Sequence, residues 1–324
     1  MHGVAARLLR VITGLSLLVA VLAGCGGGEL AKATYPRTLV PPAGQPADAG
    51  DRLSVAGLRL LDPCGLLGPA VLGRHGEPDD NVAQDFDGCR NHLRDADGEP
   101  LNVSVRVGEP LTGGALDRAT DRIGEFRAGT ARHDGACFVT LVVDRTEPPV
   151  GVTVQASYRA GDPCPSAQDV AADIATRLPA TAAVRTPAPG SLLPLDPCTL
   201  PGALPATAVP RAAGPTPVGL HQCGWRSPEG AELELQFAHR PDPGRSDGEP
   251  VALDAGITAH LVRTERAFAQ CRLGWAHLPG AGAAADTAAE TVEIEVRDLR
   301  DTGLDVCGAA VTFAKSLLPK LPKP

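Results

Sequence analysis

Leu58-Arg59-Leu60-Leu61-Asp62-Pro63-Cys64-Gly65-Leu66-Leu67-Gly68 and Leu192-Leu193-Pro194-Leu195-Asp196-Pro197-Cys198-Thr199-Leu200-Pro201-Gly202 are two versions of one opening, 134 residues apart. Asp-Pro starts a helix well, because Asp caps free amides and Pro suits the first helical position. Each cysteine then falls in a first turn, and Pro201 and Pro205 shorten the second helix. The later cysteines keep step. Cys64 to Cys89 and Cys198 to Cys223 both span 25 residues, and Cys89 to Cys137 and Cys223 to Cys271 both span 48. Cys164 and Cys307 close the halves with a nine-residue slip. The spacing predicts two tandem copies of a four-cysteine domain.

Between the cysteines the pattern turns to period two. Leu101, Val103, Val105 and Val107 alternate with Asn102, Ser104 and Arg106, and Leu233, Leu235 and Phe237 alternate with Glu232, Glu234 and Gln236. One polar face marks a half-exposed antiparallel strand. Cys137 to Val143 and Cys271 to Trp275 read as more buried strands, followed by Val150 to Tyr158 and Thr291 to Arg297. A closing helix comes after each. Ala167, Val170, Ala171, Ile174 and Leu178 make an i, i+3/i+4 stripe after Asp162-Pro163-Cys164, and Ala310, Val311, Ala314, Leu317 and Leu318 make another after Asp305-Val306-Cys307. Ala115 to Gly124 reads as an extra helix of the first copy. Each unit is thus expected to be α+β: an antiparallel sheet with an N-terminal and a C-terminal helix.

Residues 1–24 read as an export leader, with Arg7 and Arg10 before the apolar run Val11 to Leu22, which is too short to span a bilayer well. Leu22-Ala23-Gly24-Cys25 resembles the lipobox of bacterial lipoproteins. That resemblance implies cleavage before Cys25 and acylation of its thiol and amine. Two or more chains hold a protein stably on a membrane. The alternative is a plain secretory signal with a chance cysteine. Residues 25–50, with Gly26 to Gly28 and Pro36, Pro41, Pro42 and Pro46, read as anchor and tether. The expected units are 51–181 and 191–324. Between them lies a linker, 182–190, that contains Thr186-Pro187-Ala188-Pro189-Gly190.

Export permits oxidation, and eight cysteines remain besides Cys25, four to each copy. Four cysteines allow three pairings, and spacing does not choose among them. We favour neighbours, Cys64–Cys89, Cys137–Cys164, Cys198–Cys223 and Cys271–Cys307, because each ties a helix start to a strand. Zinc competes poorly, since the chain has no Cys-x-x-Cys and the histidines, His221 near Cys223 included, show no ligand spacing beside the cysteines. No metal and no cofactor are expected. Aromatics are only 3% of the chain, so disulfides carry a large share of the expected stability.

Without residues 1–24 the chain has 28 Lys and Arg against 38 Asp and Glu, a net charge of −10. An acidic chain with no basic run is a poor nucleic-acid binder. Asp62-Pro63-Cys64-Gly65-Leu66-Leu67 and Cys223-Gly224-Trp225, behind a lipobox and a Pro/Gly tether, resemble an uncharacterised actinobacterial lipoprotein family, a domain of unknown function. Asp196-Pro197-Cys198-Thr199-Leu200 fits with Pro201 in place of the second Leu, and Cys89-Arg90-Asn91 departs by placing Asn where the Trp belongs. The resemblance covers most of residues 55 to 322. It implies the outer face of the cell membrane and a disulfide-bonded α+β fold, and it carries no catalytic residues.

No Gly-x-Ser-x-Gly elbow and no phosphate-binding Gly-rich loop with Lys occur. The glycines around Gly280 and Gly282 read as a loop. Asp79-Asp80 and Asp85-Phe86-Asp87 read as a solvated loop rather than a Ca²⁺ site, lacking EF-hand spacing. His92 and His133-Asp134 read as surface groups. Trp225 and Trp275 point inward on strand phase; the competing role puts Trp225 in a groove for a lipid or glycan. The leading expectation is a non-enzymatic, membrane-anchored binding or sensing module at a sheet face or an inter-domain cleft. The alternatives are an accessory subunit of an envelope transport or secretion complex, with an envelope protein as partner, and a degenerate hydrolase.

Overall fold

The computed structural model describes residues 52–144, 148–180, 182–245, 248–279 and 288–324. The expectations for the leader, Cys25, the tether, Gly280 and Gly282 lie outside the described residues. The first half opens with short helices α1 (Val55–Arg59), α2 (Pro63–Leu66) and α3 (Pro69–Leu72). Ser54 Oγ accepts from Gly57 N at 3.1 Å, and Asp62 Oδ1 accepts from Cys64 N at 3.1 Å. The strands come next: β1 (Glu77–Pro78), β2 (Val82–Ala83), β3 (Gly88–Arg94), β4 (Pro100–Pro110), then helix α4 (Gly113–Arg118), β5 (Asp121–Ile123), β6 (Phe126–His133), β7 (Ala136–Asp144) and β8 (Val150–Tyr158). Helix α5 (Cys164–Arg177) closes the half.

The second half holds β9 (Thr216–Gly219), β10 (Gln222–Arg226), β11 (Ala231–Arg240), β12 (Glu249–Ala252), β13 (Thr258–Glu265), β14 (Ala269–Leu278), β15 (Ala289–Asp298) and helix α6 (Val306–Leu317). The first sheet runs β1-β3-β4-β8-β7-β6-β5, with β2 also on β3; the second, read from the matching edge, runs β9-β10-β11-β15-β14-β13-β12. All pairings are antiparallel. Turn chemistry fixes the hairpins. Asp134-Gly135, with φ of 28° and 74°, joins β6 to β7 as a two-residue turn that needs positive φ.

Four disulfides join helix starts or turns to strands: Cys64–Cys89, Cys137–Cys164, Cys198–Cys223 and Cys271–Cys307. Each sheet buries its cysteine-bearing face. Val139, Leu141, Val152 and Val154 meet Ala167, Val170, Ala171 and Ile174 of α5, all fully buried. Leu273, Trp275, Ile294 and Val296 meet Ala310, Phe313 and Leu317 of α6 in a second core. Phe313, outside the stripe read from sequence, is part of that face. At the start of α5, Asp162 Oδ1 accepts from Cys164 N at 3.0 Å and from Arg132 at 2.6 Å. The Arg132 hydrogen bond holds its carboxyl below the ordinary range.

Two expected helices differ. The segment Ala115 to Gly124 is the end of α4 followed by β5. Arg127 draws the carbonyls of Leu116 and Ala119 toward the sheet, so the chain leaves the helix and pairs with β6. The second Asp-Pro-Cys makes only turns. Asp196 Oδ1 still accepts from Cys198 N at 2.9 Å, and Leu200 N donates to Asp196 O at 3.0 Å. Pro201 and Pro205 then deny the next amides. The expected linker is tied down in part: Leu61 bridges Val184, and Arg185 N donates to Leu60 O at 2.7 Å. Among the described residues no helix is long and apolar enough to cross a membrane.

Candidate ligand cleft

The face of the first sheet that turns away from its disulfides carries Phe138 and Thr140 on β7, Thr153 on β8 and Gly129 and Ala131 on β6. Residues 110–119 cross part of this face. Leu111, Ala119 and Val142 form a small buried cluster under that crossing, with Ala115 and Leu116 packed against it. Two glycines let the crossing sit close. A Cβ on Gly129 would lie 3.0 Å from Arg118 O, and one on Gly151 would lie 2.8 Å from Leu141 O and 3.1 Å from Leu111 Cδ2. Arg127 fastens it from below, donating from Nε to Ala119 O at 3.1 Å and from Nη2 to Leu116 O at 3.1 Å.

Beside this crossing lies an open cleft of about 540 Å³. Its floor is Phe138, Thr140 and Thr153, and its rim is Glu109, Arg118 and His133. Val218 of β9 also lines it, so the second half of the chain completes the wall. Thr140 and Thr153 are cross-strand neighbours with hydroxyls 3.1 Å apart. One donates to the other, which leaves one hydroxyl hydrogen to reach a ligand. Among the described residues no hydrogen bond joins His133 or Glu109 to a threonine.

The corresponding face of the second sheet is built differently. Gly274 stands 134 residues after Thr140 and is paired with Glu293 as Thr140 is with Thr153. Pro243 covers that glycine; a Cβ there would lie 3.2 Å from Pro243 Cγ. The rest is a charge lattice. Arg226 meets Glu232 at 2.7 Å, Arg240 meets Glu293 at 3.1 Å, Arg272 meets Glu295 at 3.3 Å, and Arg297 meets Glu232 at 3.4 Å. Internal ion pairs occupy the groups a ligand would need.

The tryptophans, the acidic cluster and the surface histidines lie outside the cleft, apart from His133 on its rim. Trp225 is 2% exposed and stacks obliquely on Phe313, centroids 6.0 Å apart. It packs in the second core, because the alternation that turns Cys223 inward turns Trp225 the same way. Trp275 is buried too. The acidic cluster is only partly a solvated loop. Asp79 and Asp80 are not buried, but Asp87 bonds His221 at 2.6 Å, and Asp85 lies 3.9 Å from Arg106 and 4.0 Å from Arg240. His92 and His133 are exposed. Among the described residues no group of three or more His, Cys, Asp or Glu is placed to hold a metal ion. Sequence reading did not bring the cleft residues together, although Phe138, Thr140 and Thr153 lay on strands already recognised and His133 was singled out as a surface group.

No protein-family model matches the chain, and no curated protein matches it. Among solved structures, the crystal structure of MucB in complex with MucA(peri) aligns over 69% of this chain and 87% of that one, at 12% identity and a TM-score of 0.15. A score that low carries no argument about fold or partner.

Proposed function

We propose that this chain is a non-enzymatic lipoprotein of the outer face of the cell membrane, acylated at Cys25 and built from two tandem copies of one disulfide-stapled α+β domain. The cleft on the first sheet binds a small polar ligand, and a glycan fits its chemistry best. A sugar presents hydroxyls to Thr140 and Thr153 and an apolar ring face to Phe138, with Glu109 and Arg118 as rim partners. The cleft is too open and too rich in hydroxyls to sheathe an acyl chain. The observation that carries this reading is the asymmetry between the sheets: one outer face is hollow, with Glu109 held 3.5 Å from Arg106 at its rim, and the other is filled by Pro243 and four Glu–Arg contacts. Duplication is supported by the 134-residue cysteine offset and the shared strand order. One copy then binds while the other closes the wall with Val218.

Two experiments test the reading. Palmitate labelling in the native cell should place label on the wild-type protein and none on Cys25→Ala, which should leave the membrane fraction; equal label on both refutes the anchor. Glycan arrays and calorimetry on the chain from residue 26 onward should give a hit that Phe138→Ala or Thr140→Val weakens at least tenfold. Arg240→Ala should leave that hit unchanged. A ligand indifferent to the cleft substitutions moves the site elsewhere.

A further inference from the structure

Asp87 stands two residues before Cys89, and His221 stands two residues before Cys223. These matching positions touch. His221 is 1% exposed, its Nδ1 lies 2.6 Å from Asp87 Oδ1, and its Nε2 lies 2.7 Å from Leu193 O. Each ring nitrogen therefore faces an oxygen of another segment, one on Asp87 and one on Leu193. The residues one step earlier trade places. Phe86 is buried in the second core, 4.9 Å from the His221 ring, while Leu220 is buried in the first core. Within each half the backbone holds the residue alike: Val107 N donates to Asp87 O at 2.8 Å and Phe237 N to His221 O at 2.9 Å. Val107 and Phe237 each sit two residues beyond the strand residue that faces the cysteine.

Each half of this contact is the image of the other, as across a two-fold axis, where a surface meets its own copy. On such an axis, two identical domains would set Asp against Asp or His against His. The first sets two carboxylates against each other, and the second leaves neither ring a carboxylate to meet. Resting on the duplication proposed above, we infer that Asp87 and His221 are the specificity pair of an internal two-fold interface: they make the first domain select the second and reject a like partner. The groups around them hold the exchange in place without supplying the choice. Arg59 donates from Nε to Leu220 O at 3.0 Å and meets Asp196 at 2.9 Å, and Arg185 donates to Phe86 O at 2.7 Å across the Phe86 ring. Arg59 has Leu193 at its matching position, so this bracing is one-sided.

The test is a charge exchange in the full chain: Asp87→His, His221→Asp and the double exchange. Trypsin cleavage within 182–190 reports separation of the domains, because Arg185 lies there. Each single substitution should speed cleavage at least tenfold, and the double exchange should return to within threefold of wild type. A double exchange cleaved as fast as the worse single overturns the pair as a selector. Should a single variant fail to fold, recovery of near-ultraviolet circular dichroism in the double exchange is read instead, and no recovery overturns the pair equally. Duplication fails on a separate ground, if residues 55–178 and 189–317 do not superimpose on their cysteines in an experimental structure. The glycan reading is independent of both readouts.

Discussion

Gly108 and Leu220 share one space: a Cβ on Gly108 would lie 2.1 Å from Leu220 Cγ. Gly108 has φ +75° and sits at a register shift in β4, between Val107 and Glu109. Glycine is needed there on both counts, as a left-handed residue and as the floor beneath Leu220. Gly108→Ala should therefore lower stability by about 2–4 kcal/mol, the sum of positive-φ strain and overpacking. Leu220→Ala should cost about 2–5 kcal/mol through its cavity. In urea titrations the double variant should lose clearly less than the two losses combined. Simple additivity would mean that the two positions do not touch.

The disulfides close loops of 25, 27, 25 and 36 residues. In the chain-entropy account each is worth about 3–4 kcal/mol, and the logarithm makes the four nearly equal. Removing both partners of any one bridge should shift the unfolding midpoint by a similar amount. Cys223→Ser should expose Cys198, and not Cys271, to an alkylating reagent in mass-mapped digests. Labelling at Cys271 would rule out the Cys198–Cys223 bond.

Trp225 separates a core role from a binding role. Its indole packs on Phe313 inside the second core, away from the cleft on the first sheet. Trp225→Ala should cost about 3–5 kcal/mol in unfolding free energy and leave the affinity of the folded protein for a cleft ligand unchanged. Lost affinity at full stability would restore the groove role of this residue.

The sequence carried the parts of this fold that local chemistry decides. Asp62, Asp162 and Asp196 each accept from the cysteine amide two residues on, so the Asp-Pro-Cys signal means the same thing three times. The chain beyond the signal differs between the copies, because Pro201 and Pro205 stop the second opening. The alternating runs became β4 and β11, and the closing stripes became the buried faces of α5 and α6. β6 was harder to see because Gly129 interrupts its pattern, and that glycine answers to Arg118 and Ala119, which arrive from outside the strand. The cleft was invisible for the same reason: its shape depends on a crossing segment and on Val218 from the other half. Asp87 and His221 showed their matching positions in sequence but not their contact.

His277 supplies a pH signature with a definite sign. It is 7% exposed, and its Nε2 donates to Gly190 O at 3.0 Å. Burial holds the imidazole below its ordinary value, against smaller upward pulls from the Gly190 bond and from Glu290. The unfolded chain titrates near the ordinary value of about 6.5. Above that both states are neutral, and this site contributes fully. As the pH falls below it the unfolded chain takes up a proton first, so stability is lost, and the loss continues until the folded ring also protonates. Wild type should therefore lose stability as the pH falls below about 6.5, with a slope from this site of up to about 1.4 kcal/mol per unit. His277→Gln keeps an N–H for Gly190 and has no titration in that range, so its curve should be flatter there, while the two proteins should keep a constant difference above pH of about 7.5. Parallel curves throughout would show that the acid sensitivity belongs to carboxylates elsewhere and that the buried ring does not resist its proton.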